Sequence, residues 1–560
     1  MKKYLKKFGA FLMAAIMMLA MCSISTFADD NTPKASDQAT ITVKDVEAGA
    51  TVTAYQIVEA EYNAFGFVKY NSVEANGAAL VADAVNPTSE EVQSIAAQIS
   101  TGAITLASHE LTQGADGSYT ALAEAGYWVV LVKGGDASKV YNPMLAGVYY
   151  SKGGSDNTLT NEAVSANDKW DLKGTEAYDK SVSVSVDKNV TGSTRVNADG
   201  TTTEADTASE NGDDVAIGDY VHYSVDGTIP AYTDAYTYVA YKLTDTTSAG
   251  LDLLKNDDHA ITVKVGNAAI AEGADTYTAT VSDDKHTLTI EFNSAFILAH
   301  AGQALAVTYD AQLNANAATN LDANTNTVKA TYTNDPTVTY TTDPDTGELV
   351  PETPTTDTPD SVTYHYTFEL DGNLSQDTTI ENWKTTTELT KLGEKNSTDK
   401  ESGETINGPL AGATFTLTND ATGVVYTATS DADGHLNFKG LDAGTYKLQE
   451  TVAPEGYTIN KNIIPVEITA TYNEDGTLNS YAVTVNNEAT STYTAVYSQT
   501  VTGKVTSVTI DSTDFNIPNT KISSLPSTGG MGTYLFTIAG IAVMAVAVGM
   551  LAMSKRKKNN

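Results

Sequence analysis

Leu525, Pro526, Ser527, Thr528 and Gly529 form a run whose chemistry would be done to the chain, not by it. Pro526 keeps Leu525 out of the helical region, so the pentapeptide is extended and can lie in the groove of a processing enzyme. Residues 531–553 carry no charge; at 1.5 Å per residue these 23 residues span roughly 34 Å, about one bilayer core. Lys555, Arg556, Lys557 and Lys558 follow and favour the cytoplasmic side. No constellation for turnover accompanies this run. The seven histidines (His109, His222, His259, His286, His300, His365 and His435) have no HExxH or other paired ligand spacing, and no GxSxG, P-loop or dinucleotide fingerprint occurs. Neither metal nor cofactor is expected.

The ordered set of LPSTG, apolar span and basic tail resembles the LPxTG cell-wall sorting signal of Gram-positive surface proteins. That resemblance implies a sortase cysteine cutting between Thr528 and Gly529 and passing the Thr528 carbonyl to an amine. The other end agrees with export. Lys2, Lys3, Lys6 and Lys7 precede an almost wholly apolar run, and Thr26-Phe27-Ala28 offers a small-residue cleavage site, so residues 1–28 read as a signal peptide. The only cysteine, Cys22, falls inside it; Leu19-Ala20-Met21-Cys22 is a poor lipoprotein signal because a small residue is wanted at Met21. The exported chain therefore has no disulfide.

Those segments remove eight of the 33 basic residues and no acid, leaving 25 basic against 70 acidic residues and a formal charge of −45. Nucleic acid and anionic membrane surfaces are poor partners for such a field. The acids are dispersed and lack EF-hand spacing. Thirty tyrosines and many Thr and Val residues favour strands. Alternation of period two dominates, as in Ser181-Val-Ser-Val-Ser-Val186, Thr287-Leu-Thr-Ile-Glu-Phe292 and Val362-Thr-Tyr-His-Tyr-Thr-Phe368, with turns at Asp116-Gly117, Asp199-Gly200, Asp345-Thr-Gly347, Asp433-Gly434 and Asp475-Gly476. One helix is predicted over residues 89–100, with Ser89 as N-cap. Residues 343–360 read as a hairpin or extended connection. The fold class is all-β: tandem, elongated sandwich domains.

Near the C-terminus, Pro409-Leu-Ala-Gly-Ala-Thr-Phe-Thr-Leu417 and Tyr446-Lys-Leu-Gln-Glu-Thr-Val-Ala-Pro-Glu-Gly-Tyr457 resemble the Ig-like collagen-adhesin B-type (Cna B) domains of Gram-positive surface proteins. The resemblance implies a covalent bond between a lysine on the first strand and an asparagine on the last, assisted by the "E-box" glutamate. Carried over, these are Lys391, Asn519 and Glu450. The chemistry suits the residue types. A lysine in an apolar core loses its charge readily, freeing a nucleophilic amine. A buried carboxyl is pushed toward its protonated form and can polarise the asparagine carbonyl. Attack then expels ammonia and leaves an isopeptide link, once per molecule, so the protein is not an enzyme.

Val186-Asp-Lys188-Asn-Val190, Tyr241-Lys-Leu-Thr-Asp245-Thr and Asn326-Thr-Val-Lys-Ala-Thr-Tyr-Thr-Asn334 resemble, more loosely, the middle domain of shaft pilins. The implied trio is Lys188, Asp245 and Asn326; alternation puts Asn326 and Asn334 on one face, so spacing does not choose between them. Trp170-Asp-Leu-Lys-Gly-Thr-Glu-Ala-Tyr178-Asp179-Lys180 is similar to the pilin motif, whose lysine receives the next subunit's threonine carbonyl. It departs from the pattern at Asp179, where proline is usual, and by one extra residue between Trp170 and Lys180. Lys180 is the first candidate, with Lys173 and Lys169 behind it. Gly126-Tyr-Trp-Val-Val-Leu and Val140-Tyr-Asn-Pro-Met144 are similar to segments of pilin N-terminal domains.

Together these resemblances imply the shaft subunit of a sortase-assembled pilus, exported and attached to the cell wall. The expected division is a signal peptide (1–28), an N-terminal pilin domain (29–180), a middle isopeptide domain (181–380), a Cna B-type domain (381–520) and the sorting region with its membrane-spanning helix (521–560). Expected partners are a pilus sortase, a housekeeping sortase, other copies of the chain, minor pilins and peptidoglycan. The competing reading is a wall-anchored adhesin or minor pilin that is not polymerised.

Overall fold

The computed structural model describes residues 33–135, 139–152, 170–205, 209–344, 346–381, 385–398, 405–501, 503–522 and 537–548. They divide into two compact units: those up to Thr367 together with Thr471–Asn479, and those of Phe368–Ala470 together with those from Ser480 onward.

The first unit begins with a nine-stranded sheet in which Thr51–Asn63 pairs with Gly126–Lys133 and Ser108–Gln113. Alternation explains its packing: Ala39, Ile41 and Val43 of Gln38–Lys44 point inward, while their neighbours are half-buried. Gln38–Lys44 pairs in parallel with Glu176–Tyr178, which brings the end of this module beside its start. The helix Ser89–Ser100 forms where predicted, but its N-cap is Thr88 and not Ser89. Thr88 is extended and its hydroxyl accepts from Glu91 N at 3.2 Å, while Glu91 Oε2 accepts from Thr88 N at 2.7 Å. This reciprocal capping box satisfies two end donors, which Ser89 one turn position later cannot do.

Beyond Lys180 the same unit contains two seven-stranded sheets. One holds Val186–Val196, Tyr220–Thr228 and Ala304–Leu313 side by side; the other holds Ser361–Tyr366, Asn324–Thr333 and Tyr241–Thr247. Their inward residues, among them Val221, Val225, Leu243, Val307, Val328 and Ala330, belong to one buried cluster. A short helix, Ser294–Ala299, capped by Asn293, has no signal in the strand pattern around it. The hairpin at residues 343–360 starts before that stretch: Thr339–Thr342 pairs with Leu349–Glu352, so only its second strand lies inside it.

The second unit pairs Leu389–Thr398 with Phe515–Asn519 in parallel and with Thr405–Pro409. Thr414–Asn419 and Gly444–Val452 lie together in its larger sheet. Asp433-Gly434 makes the expected turn, and it crosses the backbone of Lys391, whose N donates to Gly434 O at 2.7 Å. Gly434 has φ of 85°, and a Cβ there would stand 2.5 Å from Lys391 O, so only glycine fits. Of the expected membrane span, residues 537–548 are described and helical. No helix among the described residues is long and apolar enough to cross a membrane.

Replacing Thr88 by alanine removes the cap and is expected to lower stability by about 1 kcal/mol, with loss of amide protection confined to the first turn of the helix, as read by hydrogen exchange.

Candidate functional site

In Val186–Val196 the inward positions run Val186, Lys188, Val190, so the strand register drives a lysine into the core. Lys188 is 1% exposed. Its Nζ donates to Asp245 Oδ2 at 2.5 Å and also contacts the Tyr309 hydroxyl. It lies 4.3 Å from the ring centre of Tyr223 and 4.6 Å from that of Tyr309. Burial pulls its pKa down to about 8, against the opposing pull of Asp245. Asp245 reaches across from Tyr241–Thr247 in the other sheet, and Tyr309 OH donates to the same Oδ2 at 2.5 Å. Asn326 Nδ2 donates to Tyr309 OH at 3.4 Å, and the Oδ1 atoms of both Asp245 and Asn326 are buried without a hydrogen-bond partner. His365 Nε2 bonds to Tyr223 OH at 2.8 Å; desolvation and the nearby Lys188 lower its pKa to about 3, which keeps the imidazole neutral.

The ladder distinguishes the two asparagines that spacing left open. Val328 stands opposite Asp245. Asn326 is two residues from that point on the same face, whereas Asn334 is six residues the other way, roughly 20 Å along the strand. Asn326 joins the Lys188 cluster and Asn334 does not.

In the second unit Lys391 is fully buried, and its Nζ donates to Ile517 O at 2.8 Å and Leu392 O at 3.1 Å. Burial lowers its pKa to about 8, with Glu450 pulling the other way. The parallel register sets Lys391 opposite Ile517 and Gly393 opposite Asn519. Asn519 Nδ2 donates to Glu450 Oε1 at 2.7 Å, while Asn519 Oδ1 is buried and unpartnered. Glu450 follows Tyr446 and Leu448 on the inward face of its strand, and its Oε2 accepts from Asn460 N at 2.6 Å. Tyr309, Tyr223, His365 and Asn460 were not singled out by sequence. Only the inward period of Leu305, Val307 and Tyr309 could have pointed to the first of them.

Lys180 lies between Glu176–Tyr178 and Ser181–Ser183, exposed, with its carbonyl accepting from Asn142 N at 2.8 Å. Nearby cations are engaged: Lys44 with Glu176 at 2.8 Å, and Lys139 with Asp179 at 3.2 Å. Lys180 makes no ion pair among the described residues. Lys173 is 7% exposed, in the strand opposite Tyr149, so it is closed to a second protein. Lys169, residues 1–28 and the run Leu525, Pro526, Ser527, Thr528 and Gly529 lie outside the described residues.

Four families match along the chain. They are a T6 antigen Ig-like domain (residues 36–181), a Gram-positive pilin backbone subunit 2 Cna-B-like domain (217–336), a SpaA prealbumin-like fold domain (396–494) and an LPXTG cell wall anchor motif (517–560). The trypsin-resistant surface T6 protein of Streptococcus pyogenes serotype M6 is 26% identical, with 97% of this chain and 98% of that protein aligned. The solved structure of the T6 backbone pilin of S. pyogenes shares the fold with a TM-score of 0.57, at 20% identity over 88% of this chain and 100% of that one. Ig-like and Cna-B-like modules followed by a wall anchor define a sortase-processed structural protein of the Gram-positive surface. Within that class the chain is a major pilin, a structural subunit of a pilus attached to the cell wall.

A lysine whose pKa falls from 10.5 unfolded to about 8 folded makes the unfolded chain bind more protons between those values. The Asn519→Ala protein, in which Lys391 keeps a free amine, is therefore expected to gain stability as pH rises from about 8 to 10.5 and to be flat below pH 8 on this account. Urea midpoints across that range, compared with Asn519→Ala/Lys391→Met, measure it.

Proposed function

We propose that this pilin closes two internal lysine–asparagine bonds, Lys188 to Asn326 and Lys391 to Asn519, and is then joined to its neighbours through Thr528. The observation that carries the reading is the burial of each lysine amine in a cluster with a carboxyl group and an asparagine. In the C-terminal module (381–520), one proton moves from the Lys391 ammonium to Glu450, removing two opposite charges from a site where ions are poorly solvated. A half-turn of the Asn519 amide exchanges Nδ2 and Oδ1 and presents the oxygen to the Glu450 proton. Neutral Nζ attacks Cγ, the Cγ–Nδ2 bond breaks, and the departing nitrogen takes one amine proton and leaves as ammonia. Asp245 plays the carboxyl role in the middle module (181–380), where its contact with Lys188 makes the proton transfer direct.

For assembly, a pilus sortase cleaves after Thr528 and holds its carbonyl as a thioester. Lys180 of another copy resolves it. Its exposure, the absence of an ion pair among the described residues and a pKa lowered by burial favour it over Lys173. Minor pilins enter by the same exchange, and a housekeeping sortase transfers the finished fibre to peptidoglycan.

Intact mass of the full chain expressed without sortase is expected to fall short of the sequence mass by two ammonia losses of about 17 Da each. Glu450→Ala should restore one of them. In cells with sortase, Lys180→Arg should abolish the detergent-resistant ladder of polymers. No mass deficit in the wild type refutes the bonds, and an intact ladder in Lys180→Arg refutes the acceptor.

A further inference from the structure

The two clusters are not built alike. Around Lys391, Glu450 and Asn519, the hydrogen bonds run to backbone groups and to one another, with no phenol among their partners in the described residues. In the middle module one hydroxyl touches all three members: Tyr309 contacts Lys188 Nζ, donates to Asp245 Oδ2 at 2.5 Å and accepts from Asn326 Nδ2 at 3.4 Å. Tyr309 is fully buried, on Ala304–Leu313 beside Tyr223, so no water is needed to connect the attacking and departing nitrogens.

We propose that Tyr309 is a catalytic residue of the Lys188–Asn326 reaction, acting as the proton relay from the attacking amine to the leaving nitrogen. This rests on the bond proposed above. Attack of neutral Nζ on Asn326 Cγ makes that nitrogen acidic and the amide nitrogen basic. The Nζ proton passes to the Tyr309 oxygen, and the Tyr309 proton passes to Nδ2. The Cγ–Nδ2 bond then breaks and ammonia departs. Lys188 has lost one hydrogen, the leaving nitrogen has gained one, and the phenol is restored. Asp245 keeps its own task, polarising Asn326 Oδ1, an acceptor that otherwise has no donor. Tyr223 stacks against the same lysine, and its hydroxyl bonds to His365 and lies beside Asn326; among the described residues it makes no hydrogen bond to Lys188 Nζ, so it is not placed to take the amine proton and serves as the control.

The test is a time course of the Lys188–Asn326 cross-linked peptide after cell-free synthesis of the full chain in detergent, with the Lys391–Asn519 peptide as internal reference. Loss of one general acid–base group slows a reaction by about 100-fold or more. Tyr309→Phe is expected to slow the first peptide by that factor and leave the second unchanged, and Tyr223→Phe should form both at the wild-type rate. Wild-type speed in Tyr309→Phe, or equal slowing by Tyr223→Phe, overturns the relay while leaving the bond itself standing. Absence of the peptide from wild type overturns both. Should Tyr309→Phe not fold by circular dichroism, a more acidic fluorotyrosine placed at 309 keeps the hydroxyl; an unchanged rate there also overturns the relay.

Discussion

Everything in the two clusters follows from one constraint, that a lysine amine is held where water does not reach. An ammonium in such a place is destabilised by several kcal/mol unless it is paired, and even a good pair in a core often only breaks even. Loss of the proton relieves the penalty, and burial lowers the pKa of both Lys188 and Lys391 to about 8. The strand register makes this unavoidable. Lys188 sits between Val186 and Val190 on the inward face, and Lys391 lies under the Gly434 turn, so neither side chain can swing out without unpairing its strand. A fold that forces an amine into its core has already prepared a nucleophile.

The clusters meet that constraint with different partners. Lys188 is surrounded by a carboxylate, two tyrosine rings and a neutral histidine. Lys391 instead donates to two backbone carbonyls of its own and the neighbouring strand. The carboxyl group sits on the lysine in the first case and on the asparagine in the second. The same trio of residue types is therefore held in two different hydrogen-bond arrangements.

The sheets were legible because their runs alternate strictly, as in Thr287–Phe292, and because Asp-Gly turns such as Asp433-Gly434 bring the left-handed backbone that closes them. Lys391, Glu450 and Asn519 were found through motif resemblance, and nothing in their own spacing distinguishes them from solvated residues. The choice between Asn326 and Asn334 needed the ladder, since both occupy one face and only register tells which lies near Asp245. Tyr309 was hidden for a different reason. In a chain with 30 tyrosines, an inward tyrosine reads as packing, and its hydroxyl becomes informative only when three strands from two sheets converge on it. The helix cap was misassigned by one residue, because Thr88 and Ser89 are both good caps and only the Glu91 pairing separates them.

The parallel pairing of Leu389–Thr398 with Phe515–Asn519 has a mechanical consequence. A pull applied at the start of the first strand and the end of the last draws the two past each other along their own axes. Their hydrogen bonds then carry the load together in shear, instead of opening one at a time like a zipper. The middle module lacks this symmetry, since Asn324–Thr333 is followed by Thr355–Asp357 and Ser361–Tyr366. A link from Lys188 to Asn326 would take residues 189–325 out of the line of force and leave residues 327–366 within it, a stretch of about forty residues that could pay out and absorb a jolt before the fibre gives way.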